Sequence, residues 1–307
     1  MAKAINIIPP VIVDYRERPA QQGRIQGGTR VFGDFHTATV TSHPLVSIIT
    51  VVLNGEKNIE KTIQSVLDQT YDNIEYFIID GGSTDGTLDM IRKHEDKIAY
   101  WISEPDNGIS DAFNKGIAAA TGEIIGIINA DDWYEPDAVE SAVSRLMQED
   151  TDIVHGMVQY RDTNGQKTEL FSGNDALLNK DMTINHPSVF ARKRAYEKIG
   201  LFRTDFRYAM DYEWLLRAKV NGFRFSYIGS CLSHVRLAGA SDRNWKYARM
   251  EVAKAKDMHC PGISNRIFYV FQIVKGSCRR FLEMTGLGCI VEFYHKRISY
   301  LKKVKSS

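Results

Sequence analysis

The chain has 307 residues, of which 43% are hydrophobic and 25% charged, and its formal net charge is +1. That length can bury a full core in one large domain or two small ones, and a near-neutral balance gives no reason to expect nucleic acid as a partner. Its four cysteines, Cys231, Cys260, Cys278 and Cys289, show no CxxC spacing, which argues against structural zinc and for a reduced cytoplasmic setting.

In chain order, residues 1–43 carry Pro, Gln, Gly and Arg with little periodicity and read as an irregular extension, with a strand expected near Thr37–Val40. The short apolar stretch from Ile5 to Val13 is interrupted by Asn6 and Pro9-Pro10, so it lacks a signal-peptide pattern. No run approaches the ~20 apolar residues of a spanning helix. From Pro44 the pattern changes: Leu45 to Leu53 reads as a buried strand ended by Asn54-Gly55, followed by a helix with Ile59, Ile63, Val66 and Leu67 on one face. Ile74 to Asp80 is a second strand, running into Gly81-Gly82-Ser83-Thr84-Asp85-Gly86 and another helix. A short strand near Ile98–Ile102 precedes Glu104-Pro105-Asp106-Asn107-Gly108 and a helix from Ile109 to Ala120, which Thr121-Gly122 is expected to stop. Ile124 to Ile128 is the next strand. Strands alternating with helices at this spacing predict a parallel α/β sheet.

Beyond Asp150 the rhythm loosens. Ile153–Tyr160 and Lys167–Phe171 predict a hairpin around Asp162-Thr163-Asn164-Gly165. Helices are expected up to Ile199-Gly200 and from Met210 to Asn221-Gly222, then two short strands up to Arg236. From Arg243 onward, 14 Lys/Arg face 4 Asp/Glu in a segment that reads as basic amphipathic helices. Such helices can lie on an anionic membrane surface, or they can pack on the preceding domain or form a dimer face with the lysines solvated.

The sharpest chemical signal is Asp131-Asp132, where the buried strand ends in Asn129-Ala130-Asp131-Asp132-Trp133. The carboxyl end of a strand is where open α/β sheets bind ligands, and two adjacent carboxylates suit a hard cation that carries phosphates. A solvated turn capping the following helix would show the same pair. After the second strand, Asp80 is placed to accept from a base N–H while Asp85 braces the turn; Gly/Ser/Asp turns also follow strands for no ligand at all. Asp106, Asp111, Asn114 and Lys115 fall in one loop and the first turns of its helix, a place suited to a polar or anionic ligand, although Asp106 or Ser110 could simply cap the helix. Asp211 starts a late helix, where the dipole favours an ionised carboxylate such as a general base needs, and where an ordinary cap would look alike. His186 and His234 lie in or beside apolar strands and fit hydrogen-bonded structural roles; His234, followed by Arg236, could also reach a metal or diphosphate.

Taken together, Val46 to Asn54, Asp80 to Thr87, Asp106 to Gly116, Asn129 to Trp133 and Met210 to Arg217 resemble the family 2 inverting glycosyltransferases of GT-A fold, in the expected order and over about residues 45–242. The resemblance implies an α/β, Rossmann-like, mixed and mostly parallel sheet flanked by helices. Residues 44–242 would be the catalytic domain (44–150 the nucleotide-binding half, 151–242 the acceptor half), with 1–43 as an extension and 243–307 as a helical C-terminal region. It implies that Asp80 contacts the nucleotide base, Asp131 the ribose, Asp132 a Mn²⁺ or Mg²⁺ ion on the diphosphate, and that Asp211 is the catalytic base. Asn54, Gly82, Asp106, Asp111, Asn114 and Lys115 join the donor side, His234 is a further candidate metal ligand, and His186, Glu213 and Arg236 are acceptor-side candidates. Gly81 stands where a second aspartate often sits, Asn129 where an aspartate often precedes the pair, and Ser110 where tyrosine is frequent.

The implied reaction is a single displacement moving a sugar from a nucleoside-diphosphate donor, a UDP-sugar first, to a saccharide or lipid-linked acceptor. It would serve cell-surface polysaccharide or lipopolysaccharide synthesis, in the cytoplasm or peripherally on the cytoplasmic face of the inner membrane. A sugar-1-phosphate nucleotidyltransferase is the enzymatic alternative, but Asn54-Gly55-Glu56-Lys57 is too short and too poor in glycine for its phosphate loop. Adjacent aspartates cannot flank a bond at the ~5–9 Å that a paired-carboxylate glycosidase uses. An inactive scaffold of the same fold is the non-enzymatic alternative, against which Asp80, Asp131, Asp132 and Asp211 jointly speak.

Overall fold

The computed structural model describes residues 23–30, 43–237 and 239–285; the strand expected near Thr37–Val40 and the segment after 285 lie outside them. Ten strands join in one sheet: Ile25–Gly27 (β1), Val46–Val52 (β2), Ile74–Asp80 (β3), Tyr100–Ser103 (β4), Ile124–Asn129 (β5), Trp133–Tyr134 (β6), Ile153–Arg161 (β7), Lys167–Phe171 (β8), Val189–Arg192 (β9) and Phe225–Arg236 (β10). The helices between and after them are Ile59–Leu67 (α1), Thr87–Arg92 (α2), Ile109–Ala119 (α3), Ala138–Gln148 (α4), Lys193–Ile199 (α5), Met210–Val220 (α6), Ala240–Arg243 (α7), Trp245–His259 (α8) and Ile263–Met284 (α9).

The sheet order is β1-β4-β3-β2-β5-β9-β7-β10-β6, with β8 paired to β7. Strands β4, β3, β2 and β5 are mutually parallel, and the antiparallel β9 joins them to the parallel pair β7 and β10. The carboxyl ends of these parallel strands therefore share one edge. Every residue of β2 is buried, because helices cover both faces of the sheet. Alternation then sorts the side chains. Ile49, Val51, Phe77, Ile79, Ile125 and Ile127 pack with α3, α5, α6 and α8, while Val46, Ile48, Val52, Ile78, Ile124 and Ile128 pack with α1 and α4.

Most expected elements form, with departures that begin with β1, a strand inside the stretch read as an irregular extension. The two short strands before Arg236 are one strand, β10, with register shifts between Tyr227 and Cys231 and between Cys231 and Ser233. The two-residue β6 was not foreseen; it pairs antiparallel with β10, matching His234 to Trp133. Gly122 is not the left-handed helix stop that its position suggests. It is required instead by close approach: a Cβ there would lie 2.6 Å from the backbone oxygen of Leu45. Its N–H donates to Ser47 Oγ at 2.9 Å and to the buried Glu75 at 2.8 Å. Arg30, from the extension, neutralises Glu75 in an ion pair, and β1 closes the sheet edge by pairing with β4. The C-terminal helices dock rather than stand apart, since Val252 and Ala255 of α8 join the core that holds Met210, Trp214 and Leu215.

Candidate active site

The chain turns sharply after β5, with Asp132 N–H donating to the Asn129 carbonyl at 3.1 Å. This turn lets adjacent aspartates converge, which a straight strand forbids. Asp131 is partly exposed and Asp132 is buried. Asp132 accepts from the backbone N–H of Arg236 at 3.1 Å and from the Asn129 amide at 3.2 Å, and its carbonyl accepts from Thr62 Oγ1 at 2.6 Å. Burial, together with the charge of Asp131, pushes the Asp132 carboxyl well above the ordinary carboxylate range. Burial also raises Asp131, against the opposing pull of Arg236 and Arg243. Two carboxylates strained in this way are relieved by a cation between or beside them.

The residues fit a hard divalent ion. The donor set is oxygen, and Asn129 Oδ1 is a buried acceptor without a hydrogen-bond partner. His234 fits less well than expected. Its Nε2 lies 2.7 Å from Glu135 Oε1, its Nδ1 accepts from Arg161 Nε at 3.2 Å, and its ring stacks on Trp133. The arginine fixes Nδ1 as acceptor and leaves the proton on Nε2, so the ring's one available lone pair is already engaged. The same bonding argues against a metal shared by Glu135, Cys231 and His234, whose ligand atoms lie within 4.8 Å of one another.

At the neighbouring strand ends the polar residues divide into loop builders and ligand-facing groups. Asp80 is fully buried, and its oxygens accept from the N–H groups of Gly82 and Ser83 and from the hydroxyls of Ser83 and Ser103. In this structure it organises the turn after β3. Asn54, at φ 53°, clamps the same turn by accepting from Thr84 N–H at 2.9 Å, and Gly82 takes φ 86°. Asp111 accepts from Asn107 N–H at 3.1 Å, and Asn114 brackets both the N–H and the carbonyl of Phe202 at 2.9 and 2.8 Å. Lys115 pairs with Glu104 at 2.8 Å and donates to the Pro105 carbonyl at 3.2 Å. All three are buried and hold protein partners, so they shape the loop at this edge. Asp106 differs: one oxygen caps Gly108 N–H at 2.8 Å, and the other lies only 2.5 Å from where a Cβ at Gly81 would stand. An aspartate at 81 would require Asp106 to move and would set a like charge beside it. Leu53, 60% exposed, borders the same spot.

Asp211 lies in the first turn of α6, and the loop before it is tied to α3 by Ser110 Oγ donating to the Phe206 carbonyl at 2.9 Å and by Asn114 holding Phe202. Asp211 thus follows a loop anchored to α3, the helix that starts after the carboxyl end of β4. Its carboxyl is pushed up to about 6 by burial, with the Glu251 charge adding to the rise and the Tyr212 N–H opposing it. The helix dipole does not hold it deeply ionised, as its position alone suggests; desolvation wins and poises it near neutrality.

Two acceptor-side candidates turn inward. Glu213 is fully buried, pairs with Arg217 at 3.0 Å and meets His259 at 2.7 Å. His186 is buried between Phe113 and Phe202, and burial lowers it to about 4, which keeps it neutral at physiological pH. Arg236 does reach the acidic pair through its backbone, and its buried Nε has no hydrogen-bond partner. Lys61 was not singled out by the sequence, because a lysine early in an amphipathic helix looks solvated. Its Nζ lies 3.1 Å from the centre of the Trp133 ring, and burial together with Arg161 and Arg236 lowers its pKa. Lys61, Arg161 and Arg236 thus gather positive charge around Trp133, directly after the acidic pair.

A family model described as "Glycosyl transferase family 2" matches residues 47–216. Over 199 residues the chain is 35% identical to an uncharacterized glycosyltransferase of Mycobacterium tuberculosis, an alignment covering 58% of this chain and 70% of that protein. Over 183 residues it is 30% identical to a PGL/p-HBAD biosynthesis glycosyltransferase of Mycobacterium bovis, covering 58% of this chain and 71% of the relative. Among solved structures it is similar to Staphylococcus aureus TarS 1-349 in complex with UDP-GlcNAc, with TM-score 0.53, 16% identity and coverage of 83% and 76% of the two chains. It is also similar to the mannosyltransferase PcManGT of Pyrobaculum calidifontis in complex with GDP-Man and Mn²⁺, with TM-score 0.55, 16% identity and coverage of 80% and 84%. At that identity the structural likeness establishes the fold, a GT-A-like mixed sheet flanked by helices.

Proposed function

We propose that this chain, which belongs to glycosyl transferase family 2, transfers a sugar from a nucleoside-diphosphate donor to an acceptor hydroxyl with inversion at the anomeric carbon. The observation that carries this reading is the pairing of two kinds of carboxylate at one sheet edge. Asp131 and Asp132 are strained by burial and suited to a cation, while Asp211 is poised near neutrality. In the reaction, Asp211 accepts the proton of the acceptor hydroxyl as its oxygen attacks the anomeric carbon, and the bond to the diphosphate oxygen breaks on the opposite face. Asp131 orients the ribose. Asp132 would hold Mn²⁺ or Mg²⁺, which supplies Lewis-acid stabilisation of the departing diphosphate when bound. Lys61, Arg161 and Arg236 add positive charge beside it, and Asp106 with Leu53 offers the donor base a carboxylate oxygen and an apolar platform across Gly81.

A UDP-sugar is the donor we favour, with the UDP-GlcNAc-bound neighbour in support and the GDP-Man-bound neighbour as the competing nucleotide. A saccharide or lipid-linked saccharide is the acceptor we favour, in line with the relative named for PGL/p-HBAD biosynthesis, and the cytoplasmic face of the inner membrane is the corresponding location. The test is release of nucleoside diphosphate from a panel of UDP-, GDP- and dTDP-sugars with Mn²⁺. Asp132→Ala and Asp211→Ala are each expected to abolish turnover while the fold is retained. Full activity in either folded variant would overturn the assignment.

A further inference from the structure

The helix that carries Asp211 starts without a cap of its own. The cap position is Ala209, whose methyl group can accept no hydrogen bond, and backbone N–H groups buried in the turn before a helix need acceptors. They find one on a distant element. Glu251 of α8 accepts from Arg207 N–H at 2.8 Å through one oxygen, and from Tyr208 N–H at 2.7 Å and Ala209 N–H at 2.9 Å through the other. Glu251 is only 9% exposed, and its neighbours Val252 and Ala255 are embedded in the core with Met210, Trp214 and Leu215. A carboxylate accepting three backbone N–H groups inside a packed interface is held firmly. Residue 251 also lies outside the stretch, 47–216, that the family model covers.

We propose that Glu251 is a positioning residue for Asp211: by gathering three consecutive backbone N–H groups, it fixes the turn from which α6 starts and so the direction in which the Asp211 carboxylate faces. The inference rests on Asp211 being the base. Glu251 also acts through charge, since a second carboxylate close to Asp211 favours the protonated base. Several other charged groups around this interface have partners of their own, and Lys256 of α8 donates to the Lys180 carbonyl at 3.0 Å. Lys254 of α8 holds Asp205 at 2.7 Å, Arg249 of α8 and Gln272 of α9 hold Asp181 at 3.1 and 3.0 Å, and Arg217 and His259 hold Glu213.

The test compares wild type, Glu251→Gln, Glu251→Asp and Asp211→Asn as full chains, following nucleoside diphosphate release against pH and donor concentration. Glu251→Gln is expected to lower kcat about tenfold with donor KM within about twofold of wild type. It should also move the acid limb of the kcat profile to lower pH, because removing a negative neighbour makes Asp211 easier to ionise. Glu251→Asp keeps the charge but shortens the reach, so it should lower kcat with the limb unmoved; this variant decides the matter if Glu251→Gln does not fold. Wild-type kcat and an unmoved limb in folded Glu251→Gln, or wild-type kcat in Glu251→Asp, would overturn the proposal. Activity in Asp211→Asn would instead overturn the base assignment, which separates the two failures.

Discussion

Asp211 sits in a turn whose burial outweighs the helix dipole, raising its carboxyl from the ordinary 3.8 to about 6. A base must be deprotonated to work, so kcat should fall as pH drops through about 6 and level off above it. The sign for stability is the reverse. A carboxyl with a raised folded pKa contributes most to stability below its unfolded value, and that contribution is lost as pH rises from about 4 through about 6. Asp211→Asn should therefore remove turnover by a factor of about 10²–10⁴ yet unfold at equal or higher temperature at pH 7. A kcat that is flat from pH 5 to 8, or a variant markedly less thermostable at pH 7, would contradict this reading. Asp80 predicts the opposite behaviour. Its oxygens hold the turn after β3 together, so Asp80→Asn should cost roughly 1–3 kcal/mol in urea unfolding and raise donor KM. Unchanged stability would show that the turn does not depend on it.

At the residue scale, the sequence placed Asp131 and Asp132 at the end of an apolar strand and Asp211 at a helix start, where the structure has them, and their expected roles came from the resemblance. For Asp111, Asn114 and Lys115 the sequence does not show the protein partners, because a polar residue in a first helical turn looks the same whether it meets a ligand or holds a loop. The difference lies in Phe202, Asn107 and Glu104, which only the fold brings to them. Glu251 was invisible for the same reason, since its partners are backbone groups of a remote loop.

At the scale of elements, β2 to β5 and the helices between them were readable because parallel strands buried on both faces leave unbroken apolar runs. The later part was less readable. There β10 bends through two register shifts, and β6 is held by its pairing with β10 rather than by any local preference. The start of β5 carries a sharp prediction. A methyl group at Gly122 would meet the fixed backbone oxygen of Leu45 at 2.6 Å, so Gly122→Ala should destabilise the protein by about 1–3 kcal/mol in urea unfolding. An unchanged midpoint would show that the strand entrance is softer than its contacts imply.

For the whole molecule, α8 links the C-terminal region to the catalytic edge, while α9 leaves Ile263, Ile267, Val270, Phe271, Val274 and Phe281 exposed. These lie beside Arg266, Lys275, Arg279 and Arg280 along a helix of 22 residues. No helix among the described residues is long and apolar enough to cross a membrane. Their pattern suits a helix lying on an anionic lipid surface, where a lipid-linked acceptor would be met. The full chain should sediment with anionic liposomes, and a Phe271→Glu, Val274→Glu double variant should not, with turnover of a soluble donor unchanged. Failure of the intact chain to bind would reject the membrane role.

The reaction proposed for this chain is a displacement at the anomeric carbon from the face opposite the diphosphate. The most direct test follows the anomeric proton of the sugar released from an α-linked UDP-sugar by NMR at early times, with water taking the acceptor's place. The account predicts that the β-anomer forms first and that Asp211→Asn releases none. Initial formation of the α-anomer would contradict it.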